Sequence, residues 1–326
     1  VLDLDRLERI RLHRRPPGQL FFANAALRWD YRWPKPTEIV LEGLEHLPAD
    51  RGVFLAMNHT DRYNYWPAQY AMYQKGLRFT ATWVKGKYYE NGAMARFLDA
   101  MNNIPLPSRG YVLTTELRGA LGRTPTPNEY RWLRDLVDGG AVPDGAMPAG
   151  VAEFLHRAQY RDAVHFLHAF DALFDAMVVR VVELNRQALC ELELNLLVFP
   201  QGTRSLRLSR GHTGLLQMAM HLGAAIVPVG CNGSDRVYPG NSPFAKGGRI
   251  VYRFGAPLEP DGPELAPYRI AGGFRPLSRE VSRDHGVELQ AATDVVMARI
   301  NALLDPPYQW ADNQSSDGVQ GLNRFV

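Results

Sequence analysis

The chain has 326 residues, 46% hydrophobic and 22% charged, which suits a folded protein with a substantial core and excludes a disordered or fibrous chain. Its formal net charge of +3 is too small for nucleic-acid binding by bulk electrostatics, so no nucleic-acid partner is expected. Two cysteines, Cys190 and Cys231, exclude a disulfide framework; both are expected as buried packing residues in a reducing, cytoplasmic setting.

In chain order, residues 1–37 come first as a basic, aromatic and helical segment. Arg6, Arg9, Arg11, Arg14 and Arg15 are interleaved with Leu7, Ile10, Leu12, Leu20, Phe21, Phe22, Leu27, Trp29, Tyr31 and Trp33. Arginine mixed with aromatics suits peripheral contact with a membrane surface. A helical lid packed on the core with solvated arginines is the equal alternative. No apolar run of about 18 residues predicts a membrane-spanning helix. Asp3, Asp5 and Glu8, with no apolar stretch beside them, argue against a signal peptide.

Short β-rich runs follow at 38–41, 53–56, 78–83, 195–199, 225–229 and 249–254, separated by helix-like segments. The alternation predicts an α/β fold over 38–305, a mixed and mostly parallel central sheet flanked by helices. Residues 114–181 differ: after Thr124-Pro125-Thr126-Pro127 and Gly139-Gly140 they become helical, with Phe154, Leu155, Phe166, Leu167, Phe170, Leu173, Phe174 and Met177 at three- and four-residue spacing. This reads as a helical insertion with an apolar stripe facing a core. His156, His165 and His168 lie there without carboxylate or cysteine partners at ligand spacing, so no metal is expected. Polar residues from 306 to 326 predict a loose tail.

The run at 53–56 ends at Asn58-His59, and the run at 195–199 ends at Pro200-Gln201-Gly202-Thr203-Arg204-Ser205. Both motifs therefore fall at carboxyl ends of strands, where open α/β sheets form ligand crevices. Thr60 and Asp61 predict a helix start immediately after His59. A histidine there has a pKa range that lets it take a proton from an alcohol and release it later. Gly202, Thr203 and Arg204, with Lys85, Lys87 and Arg109 near other strand ends, offer cations and backbone donors for a phosphate. Read residue by residue, each of these is equally a solvated or ion-paired surface group, above all Lys87.

Together these motifs resemble those of the glycerolipid acyltransferases, which include the glycerol-3-phosphate and lysophosphatidate acyltransferases. That family's first motif is Asn-His, four residues, then Asp; here Asn58-His59 stands with Asn64 at the Asp position. Ile104-Pro105-Leu106-Pro107-Ser108-Arg109 resembles the second. Phe199-Pro200-Gln201-Gly202-Thr203-Arg204-Ser205 is similar to the third at every position but Gln201, where the family has Glu. Ile226-Val227-Pro228-Val229 resembles the fourth.

The resemblance spans about 38–260, interrupted by the insertion. It implies acyl transfer from an acyl thioester, coenzyme A or acyl carrier protein, to a hydroxyl of a glycerol phosphate, lysophospholipid or related acceptor. The thioester is a co-substrate, and no cofactor is implied. His59 would be the general base, paired with Asn64. Arg109, Gln201, Gly202, Thr203 and Arg204 would hold substrate, joined by Lys85 from its place near a strand end, with an apolar groove and a bilayer nearby. Asn64 and Gln201 leave two alternatives open: a weakly active or inactive lipid- or partner-binding protein on the same fold, and a thioesterase in which water replaces the alcohol.

Overall fold

The computed structural model describes residues 1–316. Seven strands form one sheet: β1 Thr37–Glu42, β2 Phe54–Met57, β3 Thr80–Lys85, β4 Asn103–Leu106, β5 Asn195–Val198, β6 Ile226–Asn232 and β7 Gly248–Phe254. Their order is β1-β7-β6-β2-β5-β3-β4. The pairs β1/β7, β2/β6, β2/β5 and β3/β5 are parallel and β6/β7 is antiparallel, so the sheet is mixed and mostly parallel as expected.

Strands β2, β5 and β6 are buried at every position, which explains their unbroken apolar runs: a parallel strand covered on both faces has no solvent side to alternate with. The strand missed in the sequence is β4. It is four residues long and carries Pro105, which removes a backbone donor and reads as a strand breaker.

Contacts divide the chain into two compact units. One comprises Val1–Arg11, Val84–Asp99 and Asn103–Leu184. It is mainly helical, with helices Leu4–Arg9, Arg109–Leu121, Pro127–Gly139 and Ala149–Arg157 and most of Ala163–Arg186. Thr126 opens Pro127–Gly139 with a capping box to Glu129, and Gly140 closes it in the left-handed region (φ 74°). Phe154, Leu155, Phe166, Leu167, Phe170, Phe174 and Met177 are buried, as the helical spacing requires, and His156, His165 and His168 are exposed.

The other unit comprises Leu12–Trp83, Ala100–Asn102 and Asn185–Val326. Its core packs Val53, Leu55, Met57, Trp66, Leu197, Val227, Val229, Ile250 and Tyr252 around the strands. The division falls inside the N-terminal segment, between Arg11 and Leu12, so that segment is not one structural piece. The start of the tail expected to be loose from 306 is held: Pro306–Tyr308 is a 3-10 turn, Tyr308 is buried, and its hydroxyl donates to Asp235 Oδ1 at 2.7 Å. Residues 317–326 of that tail lie outside the described residues. Among the described residues no helix is long and apolar enough to cross a membrane.

Candidate functional site

Strands β2 and β5 are parallel neighbours in the register Phe54↔Leu196, Leu55↔Leu197 and Ala56↔Val198. Carried three residues past the last of these pairs, that register sets His59 opposite Gln201. The two segments are indeed joined there: the His59 backbone N–H donates to Gln201 Oε1 at 2.9 Å, and the Ser205 N–H donates to the His59 carbonyl at 2.9 Å. On the other side β2 lies against β6. The Asn58 side chain closes a two-way clamp there, donating to the Cys231 carbonyl at 2.9 Å and accepting from its N–H at 2.7 Å. Sheet pairing alone therefore brings together motifs about 140 residues apart in sequence.

The His59 imidazole is half-buried and stacks on the Phe199 ring, with centroids 4.0 Å apart and planes at 17°. Its Nδ1 lies 3.1 Å from Asn64 Oδ1. Asn64 is fully buried, and its Nδ2 donates to the Asn58 carbonyl at 2.8 Å. An amide nitrogen must face that carbonyl, so the atom facing His59 is the oxygen, which can only accept. Nδ1 of His59 therefore carries the proton, and Nε2 holds the lone pair. Asn64 fixes the tautomer and ring orientation as a carboxylate would, without supplying negative charge.

Gln201 is 2% exposed and uses both ends of its amide. Besides accepting from His59, it donates through Nε2 to Ser209 Oγ at 3.1 Å and reaches the Arg207 carbonyl at 3.5 Å. The turn that follows needs its glycine: Gly202 has φ +65°, and a Cβ there would lie 2.8 Å from His212 Cδ2. Thr203 is exposed, Arg204 is half-buried, and Arg204 forms no ion pair among the described residues.

Three features depart from the sequence reading. The helix expected directly after His59 begins only at Tyr65, because Asp61 Oδ1 accepts from the Tyr63 N–H (2.8 Å) and its Oδ2 from the Thr60 hydroxyl (3.0 Å), which holds a turn instead. Burial raises the Asp61 carboxyl to about 6 against those hydrogen bonds. Cys190 is exposed, while Cys231 is buried and its thiol is pushed upward, chiefly by desolvation. His212 was not singled out at all. Its backbone N–H donates to the Pro200 carbonyl at 2.8 Å, and only this return of the chain, invisible in local spacing, lays its ring over Gly202.

His59, Asn64, Gln201, Gly202, Thr203 and Arg204 all belong to the sheet-bearing second unit, whereas Lys85 and Arg109 belong to the first. Within that unit Arg109 is 12% exposed, donates to the Val137 carbonyl (3.1 Å) and Asp171 Oδ1 (3.2 Å), and lies 4.8 Å above the Phe174 ring. Lys85 is exposed at the end of β3. Among the described residues no three His, Cys, Asp or Glu side chains gather as a metal site would require.

No protein-family model matches the chain, and no curated protein sequence matches it. Among solved structures it is similar to the 1-acyl-sn-glycerophosphate (LPA) acyltransferase PlsC from Thermotoga maritima, at 15% identity over 86% of this chain and 76% of that one, with a TM-score of 0.40. A likeness at that level says nothing about chemistry.

Proposed function

We propose that the chain transfers a fatty acyl group from an acyl thioester, on coenzyme A or acyl carrier protein, to a hydroxyl of a glycerol phosphate, lysophospholipid or related acceptor. The observation that carries this reading is the His59–Asn64 contact, which leaves Nε2 of His59 as the basic nitrogen beside a glycine turn bearing Thr203 and Arg204. In this reading Nε2 takes the acceptor hydroxyl proton as its oxygen attacks the thioester carbonyl. The tetrahedral intermediate then collapses, the carbon–sulfur bond breaks, and the proton passes to the departing thiolate. Thr203 and Arg204 hold the acceptor's phosphate, with Gly202 allowing close approach to the backbone. For Arg109 the same role rests on the sequence motif, and for Lys85 on its place at the end of β3.

The test is release of free thiol from palmitoyl-coenzyme A with and without lysophosphatidate or glycerol 3-phosphate. We expect acceptor-dependent release that falls by about 10²–10⁴ in His59→Ala, the range a positioned general base supplies. Equal rates in the two proteins would sink the assignment of His59, and release without acceptor would identify a thioesterase. One observation favours a second reading, a lipid-binding protein of weak or no activity: Asn64 and Gln201, both hydrogen-bonded to His59, carry no charge. That reading predicts saturable lysolipid binding with no thiol release.

A further inference from the structure

Within the second unit the residues from Leu12 onward sort their aromatic side chains into two sets. Leu27 and Tyr31 are buried, and Phe22 packs edge-on against Trp66 at 4.8 Å. Trp29 and Trp33 are 68% and 76% exposed, and Phe244, from the β6–β7 connection, is 70% exposed. Hydrogen bonds tie together the segments that carry these three. The Trp33 N–H donates to the Trp29 carbonyl at 3.0 Å, and both Asp30 carboxylate oxygens accept from the Ala245 N–H at 3.1 and 3.0 Å. The Gly248 N–H donates to the Pro36 carbonyl at 3.1 Å, and a Cβ at Gly247 would fall 2.5 Å from Lys35 Cβ.

The same two segments carry Arg28, Arg32, Lys35 and Lys246, all exposed and none in an ion pair among the described residues. Asp30, the acid beside them, is turned inward to Ala245. Exposed indoles ringed by unmatched cations suit the headgroup layer of an anionic bilayer, where rings sit at the interface and each cation meets lipid phosphate. A second copy of the chain fits the same face poorly, because two-fold docking would set four cations against four.

We propose that Trp29, Trp33 and Phe244, with Arg28, Arg32, Lys35 and Lys246, form a docking face for an anionic phospholipid surface. The face stands apart from the acyl-transfer reading, since binding is measured without turnover. The test is flotation of the full chain with vesicles of phosphatidylcholine alone and with one quarter phosphatidylglycerol, alongside sedimentation velocity without lipid.

We expect partition onto the anionic vesicles that weakens with salt, and quenching of tryptophan fluorescence by brominated lipid. Each cation contributes about fivefold near such a surface, so Arg28→Glu/Arg32→Glu should lose at least about 25-fold. Trp29→Ala/Trp33→Ala should lose at least about tenfold with an unchanged thermal midpoint, as should Phe244→Ser to a smaller extent. Wild-type protein that ignores anionic vesicles, variants that bind as well as wild type, or a wild-type dimer that Trp29→Ala/Trp33→Ala dissolves would each overturn the proposal.

Discussion

Replacing Asn64 by Asp supplies the carboxylate of the acyltransferase motif, yet the structure predicts an unstable protein. Asn64 is fully buried and spends its NH₂ on the Asn58 carbonyl at 2.8 Å. An ionised Asp would turn an oxygen toward that oxygen. The lost hydrogen bond costs about 1 kcal/mol net and the orphaned carbonyl about 1–3 kcal/mol more, so the variant should be weaker by about 2–4 kcal/mol near pH 8. At about 2 °C per kcal/mol this is a fall of about 4–8 °C in the thermal midpoint.

The deficit should shrink on acidification, and the sign follows from the burial of the new group. A carboxyl whose folded pKa is raised is stabilising relative to its ionised form below that pKa, and it loses this as pH rises. Once protonated, its hydroxyl can donate to Asn58. If His59 is the base, the added negative charge also moves the acid limb of the pH–rate profile upward. The tautomer is already fixed by Asn64, so turnover should rise far less than the about 10⁴ separating Asp from Asn in the serine protease triad. Differential scanning calorimetry at pH 5 and pH 8 checks the first claim. A variant that melts with the wild type at pH 8 would refute the argument that the Asn64 amide holds the His59 loop.

Three further outcomes follow. Asp61→Asn keeps an oxygen for the Tyr63 N–H and removes a buried carboxyl raised from 3.8 to about 6; wild-type stability should therefore fall by about 3 kcal/mol relative to the variant as pH rises from about 3 to about 7, then hold level, and parallel melting curves across that window would contradict it. Gly202→Ala should cost about 1–2 kcal/mol from its left-handed backbone, and more from the His212 ring 2.8 Å away. In a double-mutant cycle His212→Ala should recover only the ring contribution, and strict additivity would show the two do not touch. Arg109→Lys should destabilise the protein by about 1–3 kcal/mol through loss of the Val137 and Asp171 hydrogen bonds and the stacking on Phe174. An unchanged melting point with a raised acceptor KM would instead place Arg109 at the substrate.

The parts of the fold legible in the sequence were those that local physics writes plainly. Buried parallel strands need unbroken β-branched and apolar runs, so β2, β5 and β6 stood out. The edge carrying the site followed from where those runs end. Parallel register then explains why His59 meets Gln201, a relation that the motifs contain only implicitly. What stayed hidden depends on the chain returning from a distance: His212 over Gly202, the Asn58 clamp on Cys231, the Tyr252 hydroxyl on the Asn64 carbonyl at 2.6 Å, and the Ala245 N–H on the Asp30 carboxylate. No spacing rule reports such contacts, because each joins segments separated by loops of unspecified path.

The amides at 64 and 201 acquire a physical cause from these contacts. As departures from a motif they look like two lost charges. In the folded chain each is a residue that must accept from or beside His59 with one end and donate with the other, to Asn58 for Asn64, and to Ser209 and Arg207 for Gln201. A carboxylate performs the first task and fails the second at the Asn58 and Arg207 carbonyls, whereas the Ser209 hydroxyl can turn to donate to it. The two exchanges are therefore coupled to the loop geometry around His59, and restoring one acid without rebuilding its donor's partner leaves a carbonyl facing a carboxylate oxygen. Recovery of high activity would then require compensation at the Asn58 or Arg207 carbonyl, such as a new donor within reach, and not the acids alone.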